Sequence, residues 1–251
     1  MGRHGFGIDV GGSGVKGAVV DLDTGELASD RIKILTPQPA TPAAIAETVV
    51  EITERAGWSG DVGITIPGVV THGVVRTAAN IAPEWINLDA KALFSEALGT
   101  SRAVTVVNDA DAAGVAEVHF GAAHGHTGLV ILLTFGTGIG SALIYNGVII
   151  PNSEFGHMEV GGREAEHQAA SSVRENRDLS YPEWAKKVST VLNRFEDLLW
   201  PDLFIAGGGV SRKHEKWVPL LTARTPVVAA QLRNAAGIVG AAMAVDTGVR
   251  H

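Results

Sequence analysis

The chain has no cysteine among its 251 residues. This absence excludes disulfide bonds, thiolate nucleophiles and zinc sites built from cysteine. Positive charge is also scarce, since 20 Lys and Arg stand against 27 Asp and Glu, and the formal net charge is -7. Because nucleic-acid-binding surfaces usually carry a basic excess, we do not expect a nucleic acid as partner.

Long apolar runs are missing as well. No segment approaches the ~20 consecutive apolar residues that a membrane-spanning helix needs, and the first residues lack the apolar core of a signal peptide. We therefore expect a cytoplasmic protein without a membrane partner. The 45% of apolar residues is enough for one large or two modest domains with buried cores.

The most informative segment is 6–26, where glycines separate two strand-like stretches. Residues 12–17 match the G-x-G-x-x-G dinucleotide fingerprint, but that fingerprint requires a helix after the glycines. Residues 15–23 are instead β-branched and end in an Asp-Thr-Gly turn sequence, which predicts a second strand. We predict a β-hairpin whose glycine turn lets backbone N–H groups approach phosphate oxygens. The alternative is an ordinary tight turn in which Asp9 caps a strand.

A second glycine hairpin is predicted from strands at 128–135 and 139–145. Its likeness to the first hairpin suggests two related α/β domains, and open α/β sheets bind ligands at the carboxyl ends of their strands. Further predicted strands are 27–34, 61–66, 73–77, 103–107, 203–206 and 227–228, and predicted helices are 42–56, 90–98, 110–120, 181–200, 210–221 and 234–245.

Asn108 and Asp109 lie between a predicted strand and a predicted helix. Phosphoryl transfer to a hydroxyl needs a carboxylate that accepts the hydroxyl proton and a polar group that positions the acceptor. Asp109 and Asn108 have these chemistries. The alternative is an Asx cap at the start of the helix.

A second polar group follows the second hairpin. Glu154, His157 and Glu166 combine carboxylates with an imidazole, which suit vicinal sugar hydroxyls because each hydroxyl both donates and accepts. Glu159 and His167 lie close to this group in the sequence. For either of them, the alternative to a binding role is that it is an ordinary surface residue. A Glu-x-x-His pair can also ligate a metal, but without cysteine we do not expect zinc.

Taken in chain order, these motifs resemble the ROK (repressor, open reading frame, kinase) family, and within it the polyphosphate glucokinase branch. The resemblance covers essentially the whole chain, although the zinc knuckle with its cysteines, typical of most members, is replaced by a cysteine-free segment at 160–171. It implies an α/β, two-domain, actin-like and ribonuclease H-like sugar kinase fold with an active-site cleft between the domains. The implied domains are 1–107 plus 233–251, a small N-terminal domain with a returning helix, and 108–232, a larger C-terminal domain.

The resemblance also implies roles for residues that match the family's motifs. Asp109 would be the catalytic base, and Asp9 would hold Mg²⁺. The implied sugar-binding residues are Asn80, Asn108, Asp109, Glu154, His157 and Glu166. The implied phosphate-binding residues are Asp9, Gly11, Gly12, Ser13, Gly14, Lys16, Thr134, Gly136, Thr137, Gly138, Gly207, Gly208 and Gly209.

The expected reaction is phosphoryl transfer from inorganic polyphosphate, with ATP as a further donor, to the 6-hydroxyl of glucose. The family likeness makes a homodimer the expected assembly. Two alternatives stay open at this point: an ATP-dependent kinase of glucose, mannose or an N-acetylhexosamine, and a sugar sensor without turnover. A polyanionic donor requires a local positive patch, for which the basic residues of the C-terminal half are candidates, with an ordinary solvated surface as the alternative.

Overall fold

The computed structural model describes residues 2–78 and 81–247, which form two compact units. Unit 1 comprises residues 2–78, 81–116 and 235–247, and unit 2 comprises residues 117–234. The domain boundaries expected from the sequence, at 107/108 and 232/233, stay a prediction. Asn80, predicted to bind sugar, lies outside the described residues.

The first half of the chain contains the elements β1 (His4–Gly11), β2 (Gly14–Asp21), β3 (Ile32–Ile34), α1 (Pro42–Arg55), β4 (Val62–Ile66), β5 (Val70–Thr71), β6 (Val74–Val75), a 3-10 helix (Pro83–Trp85), α2 (Ala90–Leu98), β7 (Val104–Asn108) and α3 (Asp109–Phe120). The second half contains β8 (Leu129–Phe135), β9 (Ile139–Tyr145), β10 (Val148–Ile150), a 3-10 helix (Phe155–His157), β11 (Glu159–Val160), β12 (Arg163–Glu164), α4 (Glu166–Ala169), α5 (Ser171–Asn176), α6 (Tyr181–Leu199), β13 (Leu203–Gly207), two 3-10 helices (Gly209–Lys216 and Val218–Leu220), β14 (Val227–Ala229), a 3-10 helix (Arg233–Ala235) and α7 (Ala236–Thr247).

Each unit is built on a five-stranded sheet, and the two sheets share one strand arrangement. The orders are β3-β2-β1-β4-β7 in unit 1 and β10-β9-β8-β13-β14 in unit 2. In each sheet, the first three strands in sequence order pair antiparallel with their neighbours. The other two strands run parallel to the central strand, which is β1 in unit 1 and β8 in unit 2. The mixed α/β class predicted from the sequence is confirmed.

The first glycine segment forms the predicted hairpin and not a dinucleotide fingerprint. Gly11 pairs with Gly14, so a two-residue turn joins β1 to β2 and no helix follows. The second strand ends in an Asx turn, because Asp21 Oδ1 accepts the backbone N–H groups of Asp23 at 2.9 Å and Thr24 at 3.1 Å.

The single helix predicted over 210–221 is wrong. Two 3-10 helices replace it, and the chain leaves helical geometry at Lys213 and at Trp217. The physical reason is Pro219, which has no N–H for a helical hydrogen bond and disfavours helical geometry at the residue before it. The fully buried Trp217 packs its ring 4.7 Å from Trp184. The strand predicted over 27–34 is also shorter than expected, since only its end at 32–34 forms β3.

Helix α7 packs on the sheet of unit 1 at positions where the strands have no side chain. A Cβ atom on Gly7 would lie 1.9 Å from the carbonyl oxygen of Ile238, and one on Gly63 would lie 1.8 Å from that of Ala241. Glycine is therefore required at both strand positions, because helix backbone lies directly on strand backbone.

The core of unit 2 is aromatic. Phe135 lies edge-on to Trp184 and Trp217, with ring centroids 5.8 and 5.6 Å apart. Phe195 is fully buried between Phe155 and Phe204. Edge-to-face contacts of this kind fix the relative positions of α6 and the sheet. Among the helices that the structure describes, none combines the length and apolar character needed to cross a bilayer.

Candidate active site

Asp9 lies near the end of β1 and both of its carboxylate oxygens have partners. Its cross-strand neighbour Lys16 places Nζ 3.1 Å from Oδ2, and Thr65 Oγ1 donates to Oδ1 at 3.1 Å. Thr65 also accepts the N–H of Val10 at 3.2 Å. Sequence reasoning missed Thr65, although a hydroxyl residue within the otherwise apolar buried strand β4 is a signal that points to it.

The chemistry of Asp9 fits a magnesium ion. Mg²⁺ prefers oxygen ligands, keeps several waters, and is commonly held by one or two carboxylates together with substrate phosphates. The Asp9 side chain is 19% exposed, so water and a phosphate can reach it. The ammonium of Lys16 lies 3.1 Å from one oxygen of this carboxylate.

The turn after β1 is open. Gly12 and Ser13 are exposed, and the carbonyl of Gly11 accepts a hydrogen bond from the hydroxyl of Thr36. Gly14 is buried at the start of β2, where a Cβ atom would lie 2.8 Å from Lys33 Cε.

Asn108 holds the start of α3. Its Oδ1 accepts the N–H groups of Ala110 at 2.8 Å and Asp111 at 3.0 Å, and its Nδ2 donates to the carbonyl of Gly68 at 3.0 Å. Asn108 is therefore a buried Asx cap, and a carboxamide with two N–H hydrogens keeps one donor beyond that to Gly68. Asp109 follows it as a half-buried first residue of α3, with Oδ1 accepting the N–H of Ala110 at 2.9 Å.

The second glycine turn, formed by Gly136, Thr137 and Gly138 between β8 and β9, is braced from α5. The backbone N–H of Ser172 donates to the carbonyl of Gly136 at 3.1 Å, and its hydroxyl donates to the carbonyl of Thr137 at 2.6 Å. The turn's carbonyls are thus held by the protein, which leaves its backbone conformation fixed for a ligand.

Glu166 joins the predicted sugar group to this turn. Its Oε2 accepts the N–H of Ile139 at 3.3 Å, and a Cβ atom on Gly138 would lie only 2.3 Å from the same oxygen. Gly138 is therefore needed for the carboxylate to approach. The contact places a predicted sugar-binding residue directly on a predicted phosphate-binding turn, which spacing in the sequence did not reveal.

The remaining sugar candidates cluster around His157. Its Nδ1 lies 3.2 Å from Glu164 Oε2 and 3.9 Å from Glu166 Oε1, and its Nε2 lies 3.8 Å from Glu154 Oε2. The hydrogen bond with Glu164 raises the pKa of His157 above its usual value. Burial raises the pKa of Glu154, which the His157 charge opposes and the Glu166 charge reinforces. Glu164 was missed by sequence reasoning.

Two serines position Glu154. Ser141 Oγ donates to the carbonyl of Ser153 at 2.8 Å and accepts the N–H of Phe155 at 3.0 Å, while Ser153 Oγ donates to the carbonyl of Ser141 at 2.9 Å. These bonds pin the loop that carries Glu154 to strand β9. Glu159 and His167 are exposed.

His157, Glu164 and Glu166 present ligand atoms within 4.8 Å of one another. One imidazole and two carboxylates can hold a divalent ion. The same atoms are the groups suited to sugar hydroxyls, so metal ligation and sugar binding would exclude each other here.

The predicted phosphate-binding segment 207–209 lies against the end of β8, which leads into the second glycine turn. Gly207 pairs with Thr134 in the parallel register of β13 and β8. Gly208 has φ of 80°, and a Cβ atom there would lie 2.4 Å from the carbonyl oxygen of Phe135. Segment 207–209 and the end of β8 therefore meet backbone to backbone.

Comparison with known proteins places these features in a family. The model of the ROK family matches residues 5–171. A polyphosphate glucokinase of Mycobacterium tuberculosis is 64% identical over 249 residues, covering 99% of this chain and 94% of the relative.

Solved structures agree. An inorganic polyphosphate/ATP-glucomannokinase from Arthrobacter sp. strain KM has a TM-score of 0.93 at 44% identity, covering 98% of this chain and 100% of the other. A ROK family glucokinase from Streptomyces griseus, in complex with glucose and AMPPNP, has a TM-score of 0.82 at 27% identity, covering 96% and 98%. The actin-like, two-domain sugar kinase fold expected from the sequence is confirmed.

Proposed function

Because the chain belongs to the ROK family, we propose that it transfers the terminal phosphoryl group of inorganic polyphosphate, and also of ATP, to the 6-hydroxyl of glucose. The near-full-length relative from Mycobacterium tuberculosis is named for this activity, and the Arthrobacter enzyme is named for both donors. The observation that carries the proposal within this chain is the bond of Glu166 with the N–H of Ile139, directly after the second glycine turn, because it brings a proposed sugar-binding group against Gly138 of the proposed phosphate-binding backbone.

Asp109 accepts the proton of the glucose 6-hydroxyl. The oxygen then forms a bond to the terminal phosphorus while the bridging P–O bond breaks, and the shortened polyphosphate leaves with the electron pair of that bond. Asn108 supports this step by fixing the first turn of α3, and its remaining amide hydrogen donates to the sugar.

Glu154, His157 and Glu166 bind hydroxyl groups of glucose, together with Asn80. Ser141 and Ser153 keep Glu154 in place, and Glu164 orients the imidazole of His157. Carboxylates accept from sugar hydroxyls, whereas the imidazole Nε2 either donates to them or accepts from them according to its protonation.

The glycine segments bind the donor. Backbone N–H groups of segments 11–14, 136–138 and 207–209 donate to phosphate oxygens, assisted by Ser13, Lys16, Thr134 and Thr137. Asp9 would hold Mg²⁺, which would supply positive charge for the phosphates. We further propose a cytoplasmic location and a homodimer, in line with the expectations from sequence.

The test is formation of glucose 6-phosphate by the purified protein with Mg²⁺, with polyphosphate or ATP as the only donor. We expect product with both donors and a higher kcat/KM with polyphosphate. Product with ATP alone would support the kinase activity and contradict the use of polyphosphate as donor. Glucose binding without product from either donor would favour the sensor function.

A further inference from the structure

Two segments lead away from the second glycine turn and meet again at one aromatic ring. Helix α5 begins with Ser171, next to Ser172, whose two hydrogen bonds hold the turn. The 3-10 helix Gly209–Lys216 begins after Gly208, which lies against the backbone of Phe135. Each segment therefore starts at the proposed phosphate-binding backbone.

The ring where they meet is that of Tyr181. The Arg174 guanidinium carbon lies 4.8 Å from its centroid, and Lys216 Nζ lies 6.0 Å from it. Cations at such distances are attracted by the face of an aromatic ring. Tyr181 is the first residue of α6, whose start is fixed by a capping box of Ser180 and Glu183, so the ring sits on a rigid element.

Arg174 has one ion pair, with Glu175, and Lys216 has none among the described residues. Arg174 reaches the carbonyl of Leu179 at 3.5 Å and the exposed Glu175 at 3.6 Å, and its buried Nε has no acceptor among the described residues. For Lys216, no carboxylate of the described ranges lies within 4.0 Å of Nζ. Two positive charges thus share one ring without a matching pair of negative charges.

The surrounding sequence strengthens this charge. Segments 171–181 and 209–216 together contain five Lys or Arg and three Asp or Glu, in a chain whose net charge is -7. Arg212, Lys213 and Lys216 are all exposed. A local positive excess in an acidic protein concentrates a polyanion at this part of the surface.

The length of the segment suits an extended ligand. The 3-10 helix is interrupted at Lys213, and Lys216 is the last residue of the segment that begins at Gly209. A chain of linked phosphates can contact the glycines at one end of this segment and Lys216 at the other.

We propose that Arg174 and Lys216, held by Tyr181, form a subsite for the internal phosphate groups of a polyphosphate chain whose reacting end lies at the second glycine turn. The inference rests on the proposed function and deepens it by assigning the polyanion's path. ATP does not fill this subsite, because its third phosphate is followed by a nucleoside in place of further phosphates.

The experiment compares wild type with the double variant Arg174→Gln/Lys216→Gln in steady-state assays with long-chain polyphosphate and with ATP. We expect KM for polyphosphate to rise about tenfold, which matches the loss of charge-assisted contacts, while KM for ATP and for glucose stay within about twofold. The dependence of polyphosphate KM on salt concentration becomes shallower in the variant, because fewer charges contact the chain. A purely structural role would not change the salt dependence of one donor alone.

Arg194→Gln is the control matched to the single variant Lys216→Gln, since it removes one charge from an exposed position of the same unit, about 20 Å along α6 from Tyr181. The KM values of this variant for polyphosphate and for ATP should equal those of wild type. Lys216→Gln alone, at an exposed position, gives a rise of about threefold in polyphosphate KM and covers the case in which the double variant does not fold. Polyphosphate KM and salt dependence equal to wild type in these variants would overturn the subsite, whereas a wild type that uses ATP alone would overturn the proposed donor as well.

Discussion

The two units share a sheet topology but differ in what stands where their strands end. In unit 1, Asp9 lies near the end of β1 and Asp109 directly follows β7. In unit 2, β8 and β13 end in glycine segments, and Arg174 and Lys216 lie at the far ends of the segments that follow. Under the proposed function both units bind phosphate through a glycine turn, whereas the carboxylates that accept the proton and hold the metal belong to unit 1.

The two units also differ in how a helix packs on the sheet. In unit 1, α7 packs on the sheet at glycines, so backbone packs on backbone, whereas in unit 2, α6 packs on the sheet through aromatic rings. The lesson is that repeated topology constrains strand order but leaves both packing and chemistry free to diverge.

Among the predictions that bear on this comparison of the units, the largest expected effect concerns a carboxylate of unit 1. Asp9→Asn removes the charge proposed to hold Mg²⁺, and we expect turnover to fall about 10²- to 10³-fold with glucose affinity unchanged. Asp21→Asn, at the other end of the same hairpin, keeps its Oδ1 acceptor and serves as the control. Titrations of activity with Mg²⁺ measure the effect, and an unaltered metal requirement in Asp9→Asn would refute the role.

A stability measurement tests the packing half. Gly63→Ala places a Cβ atom against the Ala241 carbonyl, so we expect the free energy of unfolding to fall by about 3 kcal/mol. Phe195→Leu in unit 2 keeps an apolar side chain of similar volume, and we expect a loss of about 1.5 kcal/mol. Denaturant titrations compare the two, and equal losses would remove the distinction between the cores.

Two substitutions in the second glycine turn test whether the turn positions Glu166 for glucose binding. Gly138→Ala pushes a Cβ atom onto Glu166 Oε2, and we expect the Kd for glucose, measured without donor, to rise about tenfold. Gly136→Ala makes the same substitution where no atom lies within 4 Å of the new Cβ, and glucose affinity should be retained. Equal glucose affinities in the two variants would show that Glu166 acts independently of the turn.

The smallest expected effect is a pH dependence from the sugar group. Because burial raises the pKa of Glu154 above 4.5, this carboxylate is protonated at a higher pH than an ordinary Glu as the pH falls. Protonation removes an acceptor of sugar hydroxyls, so glucose affinity should decline on the acid side. Tryptophan fluorescence titrations with glucose between about pH 4.5 and 7 measure this decline, and Glu154→Gln should flatten the curve. An identical acid decline in that variant would assign it to another group.

Much of the fold was accessible from local sequence. The Asp-Thr-Gly turn at 23–25 distinguished a hairpin from a dinucleotide fingerprint, and the helix predicted at 42–56 corresponds to α1, which Thr41 caps in the structure. The boundaries of α2 and β9 match those predicted. Such features depend on residues that are neighbours in the chain.

The features that were missed depend on residues distant in the chain. The contact of Trp217 with Trp184 joins two elements that no local pattern connects. The bond of Glu166 to Ile139, and that of Thr65 to Asp9, each join positions from separate strands and loops. Residue types therefore indicate candidate chemistry, while long-range packing decides which groups touch.

The most direct test of the central claim is a pair of measurements on Asp109→Asn: glucose binding by calorimetry, and phosphoryl transfer to glucose under single-turnover conditions. The account predicts a glucose Kd within about threefold of wild type and a transfer rate about 10³-fold lower, because the variant cannot accept the hydroxyl proton. Asp89→Asn, which caps α2 in the same unit, should match wild type in both. A transfer rate in Asp109→Asn equal to that of wild type would contradict the account.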